Sequence, residues 1–177
     1  MNLSIEVDEY VPLSAEFLDT ESGLASTEPL YWRCGNGKTS LLELGFHHQS
    51  GAIQSITLVS IDVMSVPSMN ASGTPKHGDH EIENGVIAVD TELWKQSGNT
   101  FADKFIDHFN DQFSTIKHSD GLEFLLSSDA NYHKRIVNSE FEFRVSAKGL
   151  LLSIMVSNLT DHQLDVLNSS ASIESSA

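Results

Sequence analysis

Hydrophobic residues recur at every second position over much of this chain. In TSLLELGF, Leu42, Leu44 and Phe46 alternate with other residues, the period of a strand. The preceding PLYWRC is also strand-like, with Tyr and Trp. The following IQSITLVSIDV carries Thr57, Val59, Ile61 and Val63 on one face and Ile56 and Leu58 on the other, so it reads as a central strand covered on both sides. NLSIEVD predicts a first strand with Leu3, Ile5 and Val7 on one face, and GVIAVD predicts another. SEFEFRVS and LLLSIMVS, joined through AKG, predict a hairpin with Phe141, Phe143 and Val145 facing one way in the first strand. Leu152, Ile154 and Val156 share a face in the second. VPLSAEFLDTESGLASTEP is turn-rich and gives no clear element, and SVPSMNASGTPKHGDHEIENG reads as a long polar loop.

Two stretches carry helical signals. Phe101, Phe105, Phe109 and Phe113 are spaced by four and would line one side of a middle helix. The later part, HFNDQFSTI, also fits a strand paired with GLEFLLSS through the turn HSDG, and both readings stay open. Near the end, Thr160-Asp161-His162-Gln163 matches a capping box, with Leu159 and Leu164 placed as a hydrophobic staple. A short final helix follows, and then a Ser-rich tail. The expected fold is α+β, dominated by antiparallel β-sheet of six to nine strands, sandwich-like or strongly curved. It carries a short C-terminal helix and has room for one in the middle. Residues 1–170 are expected to form a single domain and 171–177 a flexible tail, with no internal repeat.

The stretch RCGNGKTS raises the question of a phosphate-binding loop. Such a loop needs a glycine five residues before Gly37, where Trp32 stands, and it should open a helix. Gly35-Asn36-Gly37 is read instead as a tight turn between strands, where Asn and Gly tolerate positive φ.

Charge changes the functional picture more than composition does. The chain has 177 residues, 25 acidic against 10 basic, and a formal net charge of −15. Such a surface repels phosphate backbones, so nucleic acid is not expected as a partner, and a basic protein is. Solubility alone is the plainer reading of the same charge. The imbalance concentrates at the N-terminus: before Arg33 there is no Lys or Arg, while Glu6, Asp8, Glu9, Glu16, Asp19, Glu21 and Glu28 all precede it. The opening residues carry acids and no positive flank, so they are not read as a signal peptide. No apolar run suits a membrane helix, and a cytoplasmic location is expected.

Chemistry-bearing patterns are sparse. His77, Asp79 and His80 in the long loop have ligand-like spacing, but structural zinc needs four ligands and Cys34 is the sole cysteine. Arg33 beside Cys34 would favour the thiolate, although a small buried residue by a turn is an equal reading. There is no G-x-S-x-G, and Glu140 and Glu142 beside Arg144 read as a salted strand face. No cofactor and no catalytic role are expected. Two other readings are weighed: a small-ligand or carbohydrate-binding β module with residues 64–84 as a lid, and an enzyme of unknown class using the 77–80 loop.

YWRCGNGKTSLLELGFHHQSGAIQSITLVSID, residues 31–62, resembles small bacterial immunity proteins that partner the toxic tips of contact-dependent inhibition and related polymorphic toxins. Weaker similarity lies in DGLEFLLSS and LTDHQLDVL. The resemblance implies a cytoplasmic inhibitor that binds a cognate toxin domain, and it transfers no interface. Nuclease toxins must be basic to hold nucleic acid, so carboxylates and aromatics are the expected contacts. Glu16, Asp19, Glu21 and Glu28 are the candidate acids. Tyr31 or an exposed Trp94 is the candidate aromatic anchor, with sheet packing the plainer role for Tyr31.

Overall fold

The computed structural model describes residues 2–8, 10–18, 28–38, 40–60, 81–94, 104–108, 113–129 and 131–173. Among them are twelve strands: β1 Asn2–Glu6, β2 Leu13–Leu18, β3 Leu30–Gly35, β4 Leu41–Phe46, β5 Ile53–Ser60, β6 Glu81–Asn84, β7 Phe105–His108, β8 Ser114–Lys117, β9 Leu122–Leu125, β10 Lys134–Asn138, β11 Phe141–Val145 and β12 Leu151–Val156. A 3-10 turn spans Thr91–Trp94 and a helix, α1, spans Asp161–Ile173. The protein is α+β, with two mixed, largely antiparallel sheets and a short C-terminal helix.

The chain divides into two compact units, Met1–Ile61 with Ile87–Gln112, and Asp62–Val86 with Phe113–Ala177. The first unit holds one sheet in the order β1-β2-β5-β4-β3-β7, antiparallel except for the β3–β7 pair. Alternation dictates its buried face: Leu13, Ala15, Leu42, Leu44, Ile56 and Leu58 are at most 1% exposed. Burial of each large side chain in this set contributes about 1.5–3 kcal/mol relative to exposure. The hairpin at 35–38 forms as its glycines require, with φ of 120° at Gly35 and 69° at Gly37. Asn36 Oδ1 accepts from the backbone of Lys38 and Ser40, and Leu41 then opens a strand, so no helix follows the loop.

The second unit holds β6-β10-β11-β12-β9-β8, antiparallel except for β6–β10. Phe124, Phe141, Phe143, Ile154 and Val156 are fully buried on one face. The capping box is formed: Gln163 N donates to Thr160 Oγ1 at 3.2 Å and Thr160 N donates back to Gln163 Oε1 at 2.9 Å.

Several sequence expectations change. Residues 105–108 are strand, not helix, because the FIDH run finds a parallel partner in β3. Phe105 stacks on Tyr31 with centroids 5.1 Å apart, while Phe113 packs edge-on against Phe124 in the second unit, so the fourfold Phe spacing lines no single face. Phe101 and Phe109 lie outside the described residues. The alternative β8–β9 hairpin does form, with His118 N donating to Gly121 O. The segment 13–18, which carried no clear signal, is strand β2. GVIAVD makes only a bridge, Ala52 to Ala88, whereas Glu81–Asn84 at the end of the polar loop is strand. Among the described residues, no helix is long and apolar enough to cross a membrane.

The two sheets share one connectivity. β1 to β5 of the first correspond in order to β8 to β12 of the second, and a sixth strand joins each sheet in parallel, β7 beside β3 and β6 beside β10. Register supports the match. The Leu42–Leu58 and Leu44–Ile56 core pairs correspond to Phe141–Val156 and Phe143–Ile154. A register shift follows Gly45 in β4 and Arg144 in β11, the same step along each strand. A positive-φ glycine stands in each turn, Gly51 at 68° and Gly149 at 78°, four residues before a Ser-Ile pair. The repeat absent from the sequence reading is present in the fold.

Candidate functional site

The core side of the first sheet fixes what its other side displays. Residues directly opposite in neighbouring strands share a face, so the register reads out two cross-strand rows. One row is Phe105, Tyr31, Gly45, Ser55, Glu16 and Ser4. The next is Asp107, Arg33, Glu43, Thr57, Ser14 and Glu6. Two expected contact residues, Tyr31 and Glu16, therefore share this face, three strand spacings or roughly 14 Å apart.

Arg33 donates from Nε and Nη2 to the two oxygens of Asp107 at 2.7 and 2.9 Å, a bidentate pair between adjacent strands. Its guanidinium also lies 4.4 Å from the Phe105 ring centroid. Glu43 is half-buried beside this pair. Burial pushes its carboxyl above the usual range, Arg33 opposes that, and Asp107 adds to it. Tyr31 is half-buried, and burial followed by the Glu43 charge raises its phenol. Glu16, on β2, is exposed.

The corresponding face of the second sheet is neutralised internally. Arg144 donates from Nε to Glu142 at 2.8 Å and from Nη1 to Glu123 at 2.5 Å. Arg135 also pairs with Glu142. Arg135 and Arg144 are direct cross-strand neighbours, and the shared Glu142 offsets their repulsion. Burial pushes Glu142 up, but hydrogen bonds and charge from both guanidiniums hold it below the usual carboxylate range. Glu123 is almost fully buried, with His118 Nε2 3.2 Å from its second oxygen. Tyr132 lies under the Arg144 guanidinium, 5.4 Å to the ring centroid.

The remaining expected residues scatter. Glu28 is exposed and ion-paired to Lys104. Trp94 is buried, not exposed: its indole N–H donates to Tyr31 O at 3.2 Å and it packs against Phe46, because the 3-10 turn folds it onto the core. Asp19, Glu21, His77, Asp79 and His80 lie outside the described residues. Among the described residues, no group of three His, Cys, Asp or Glu is placed to hold a metal ion. Cys34 is buried, and as a strand neighbour of Arg33 it faces the opposite side, so the guanidinium does not sit over the thiol. Glu43, Phe105 and Asp107 were not anticipated, since two of them belong to a strand that the phenylalanine spacing disguised.

Neither a family model nor a curated protein matches this chain.

Proposed function

We propose that this protein is an immunity protein: it binds a basic bacterial toxin domain and blocks it by occupying its working surface. The observation that carries the reading is how the chain's cations are used. Five of the ten, Arg33, Lys104, Lys134, Arg135 and Arg144, are engaged with carboxylates of the same chain. On a chain of net charge −15, acids dominate the outward field, with Glu6, Asp8, Glu16, Asp90 and Asp165 among the exposed ones. That field accelerates encounter with a basic domain and disfavours nucleic acid. The resemblance of residues 31–62 to immunity proteins supports the same reading. On it, the protein acts in the cytoplasm, without cofactor or chemistry of its own.

The test is affinity capture with the tagged full chain, analysed by native mass spectrometry at about 0.1 M and 0.5 M salt, where the screening length shortens severalfold. The expected result is a one-to-one complex with a basic domain, weakened by salt, whose toxicity in cells is suppressed by co-expression. A bound small molecule with no protein partner, or a partner whose toxicity persists, overturns the proposal.

A further inference from the structure

The two sheets carry the same plan with different outer faces, and the difference is one of charge. Matching the core pairs aligns Glu43 with Glu142, Gly45 with Arg144, Tyr31 with Arg135 and Ser14 with Glu123. In the second sheet these rows hold two guanidiniums against two carboxylates, Glu123 and Glu142. In the first they hold one guanidinium, Arg33, against four carboxylates, Glu6, Glu16, Glu43 and Asp107. That one guanidinium is directed to Asp107 at the β7 edge.

We infer that the face of the first sheet opposite Leu42 and Leu44, half-buried at Tyr31 and Glu43 and exposed at Glu6, Glu16 and Asp107, is the surface that receives the basic partner. There an arginine or lysine of the partner supplies the positive charge that Arg135 and Arg144 supply within the second sheet. The inference rests on the function proposed above and adds the surface and the kind of contact. Three features of the structure support it. Glu43 is shared with the second sheet as Glu142, which does accept from arginine. The aromatic element recurs too: Tyr132 lies under Arg144 in the second sheet, and in the first Phe105 lies under Arg33 and stacks on Tyr31, which stands beside Glu43. Burial already disfavours the charged form of Glu43, so a second cation beside it relieves a cost that Arg33 meets only in part.

The experiment is a titration of the isotope-labelled full chain with an oligo-arginine peptide at low ionic strength, followed by backbone NMR. Shifts are expected to concentrate at Ser14, Glu16, Tyr31, Glu43 and Thr57. Glu16→Lys is expected to weaken peptide binding about tenfold, the scale of a reversed charge at a few ångströms near a surface. Asp165→Lys makes the same change in net charge on α1, outside the proposed rows, and is expected to weaken binding no more than about twofold, the share of overall net charge alone in screening salt. Glu16→Gln, milder to the fold, is expected to fall between them. Equal losses from both lysine variants, or shifts centred on the second sheet, overturn the assignment of this face. If a basic partner is still captured in that case, the proposed function stands without it. If neither the peptide nor any basic protein binds at low salt, both fail.

Discussion

Replacing Arg144 with methionine isolates the buried ion network of the second sheet. The side chain is similar in length, so packing is largely kept while two charge-assisted hydrogen bonds are lost, at 2.5 Å to Glu123 and 2.8 Å to Glu142. Glu142 retains Arg135, but Glu123, with a side chain only 6% exposed, keeps only His118 among the ion pairs described. Breaking a buried pair by removing one partner costs about 3–5 kcal/mol, most of it the stranded charge. With a urea slope of about 2 kcal/mol/M, the midpoint should fall by roughly 2 M. The melting temperature should drop by about 10 °C. The double variant Arg144→Met, Glu123→Leu should recover part of the loss, because no lone carboxylate remains. Urea denaturation of the four proteins of this cycle at neutral pH is the assay. A single-variant cost under about 1 kcal/mol, a surface-pair value, would refute the reasoning, as would a double variant no more stable than Arg144→Met.

Three further outcomes follow from other contacts. Glu142 has its folded pKa held below the unfolded value, so its contribution is present at neutral pH and lost as pH falls from about 4.5 through that lowered value; Glu142→Gln should flatten this part of the wild-type acid-stability curve. Thr160→Ala removes the capping hydroxyl of α1 and should cost about 1 kcal/mol in denaturant midpoint experiments. Gly51→Ala and Gly149→Ala should differ sharply although both glycines have positive φ: a Cβ at Gly51 would stand 2.0 Å from Val89 O, whereas Gly149 has open space around it. Gly149→Ala should cost about 1 kcal/mol of backbone strain and Gly51→Ala at least twice that, read by thermal melts.

Alternation made the strands with one dry face legible, as Leu42, Leu44 and Phe46 or Phe141 and Phe143 illustrate. The capping box was legible because it is a local hydrogen-bond pattern complete within four residues. The edge strands were not. β6 buries none of its four residues, and β7 exposes two of its four, so neither displays a period of two. Both are held by a parallel partner distant in the chain, which no local window contains. The site suffered for the same reason. Glu16 and Tyr31 could be proposed singly from charge and residue type, but Asp107 and Phe105 join that face only through β7. Trp94 was placed outside because a short segment rich in polar residues surrounds it, and only the fold shows the Tyr31 carbonyl that satisfies its indole N–H.

The hidden repeat follows from the same physics and tells where to look for function. A sheet's buried face needs apolar side chains of fitting volume, not particular ones, so Leu42 and Leu44 can correspond to Phe141 and Phe143 without loss of the plan. What survives as sequence is little more than a glycine with positive φ and the Ser-Ile pair four residues on, at 55–56 and 153–154. The rows on the other face meet no such demand, and there the two sheets part: Tyr31 against Arg135, Gly45 against Arg144, Ser14 against Glu123. In the second sheet every substitution in that set adds a charge, two positive and one negative, and with the shared Glu142 they balance. Stability alone accounts for a balanced, largely buried network. It does not account for a matching face with four carboxylates and one guanidinium, which raises the free energy of the isolated chain through like-charge repulsion. An external cation would relieve that repulsion, and this is the physical basis for proposing the imbalanced face of the first sheet as the one that meets a basic partner.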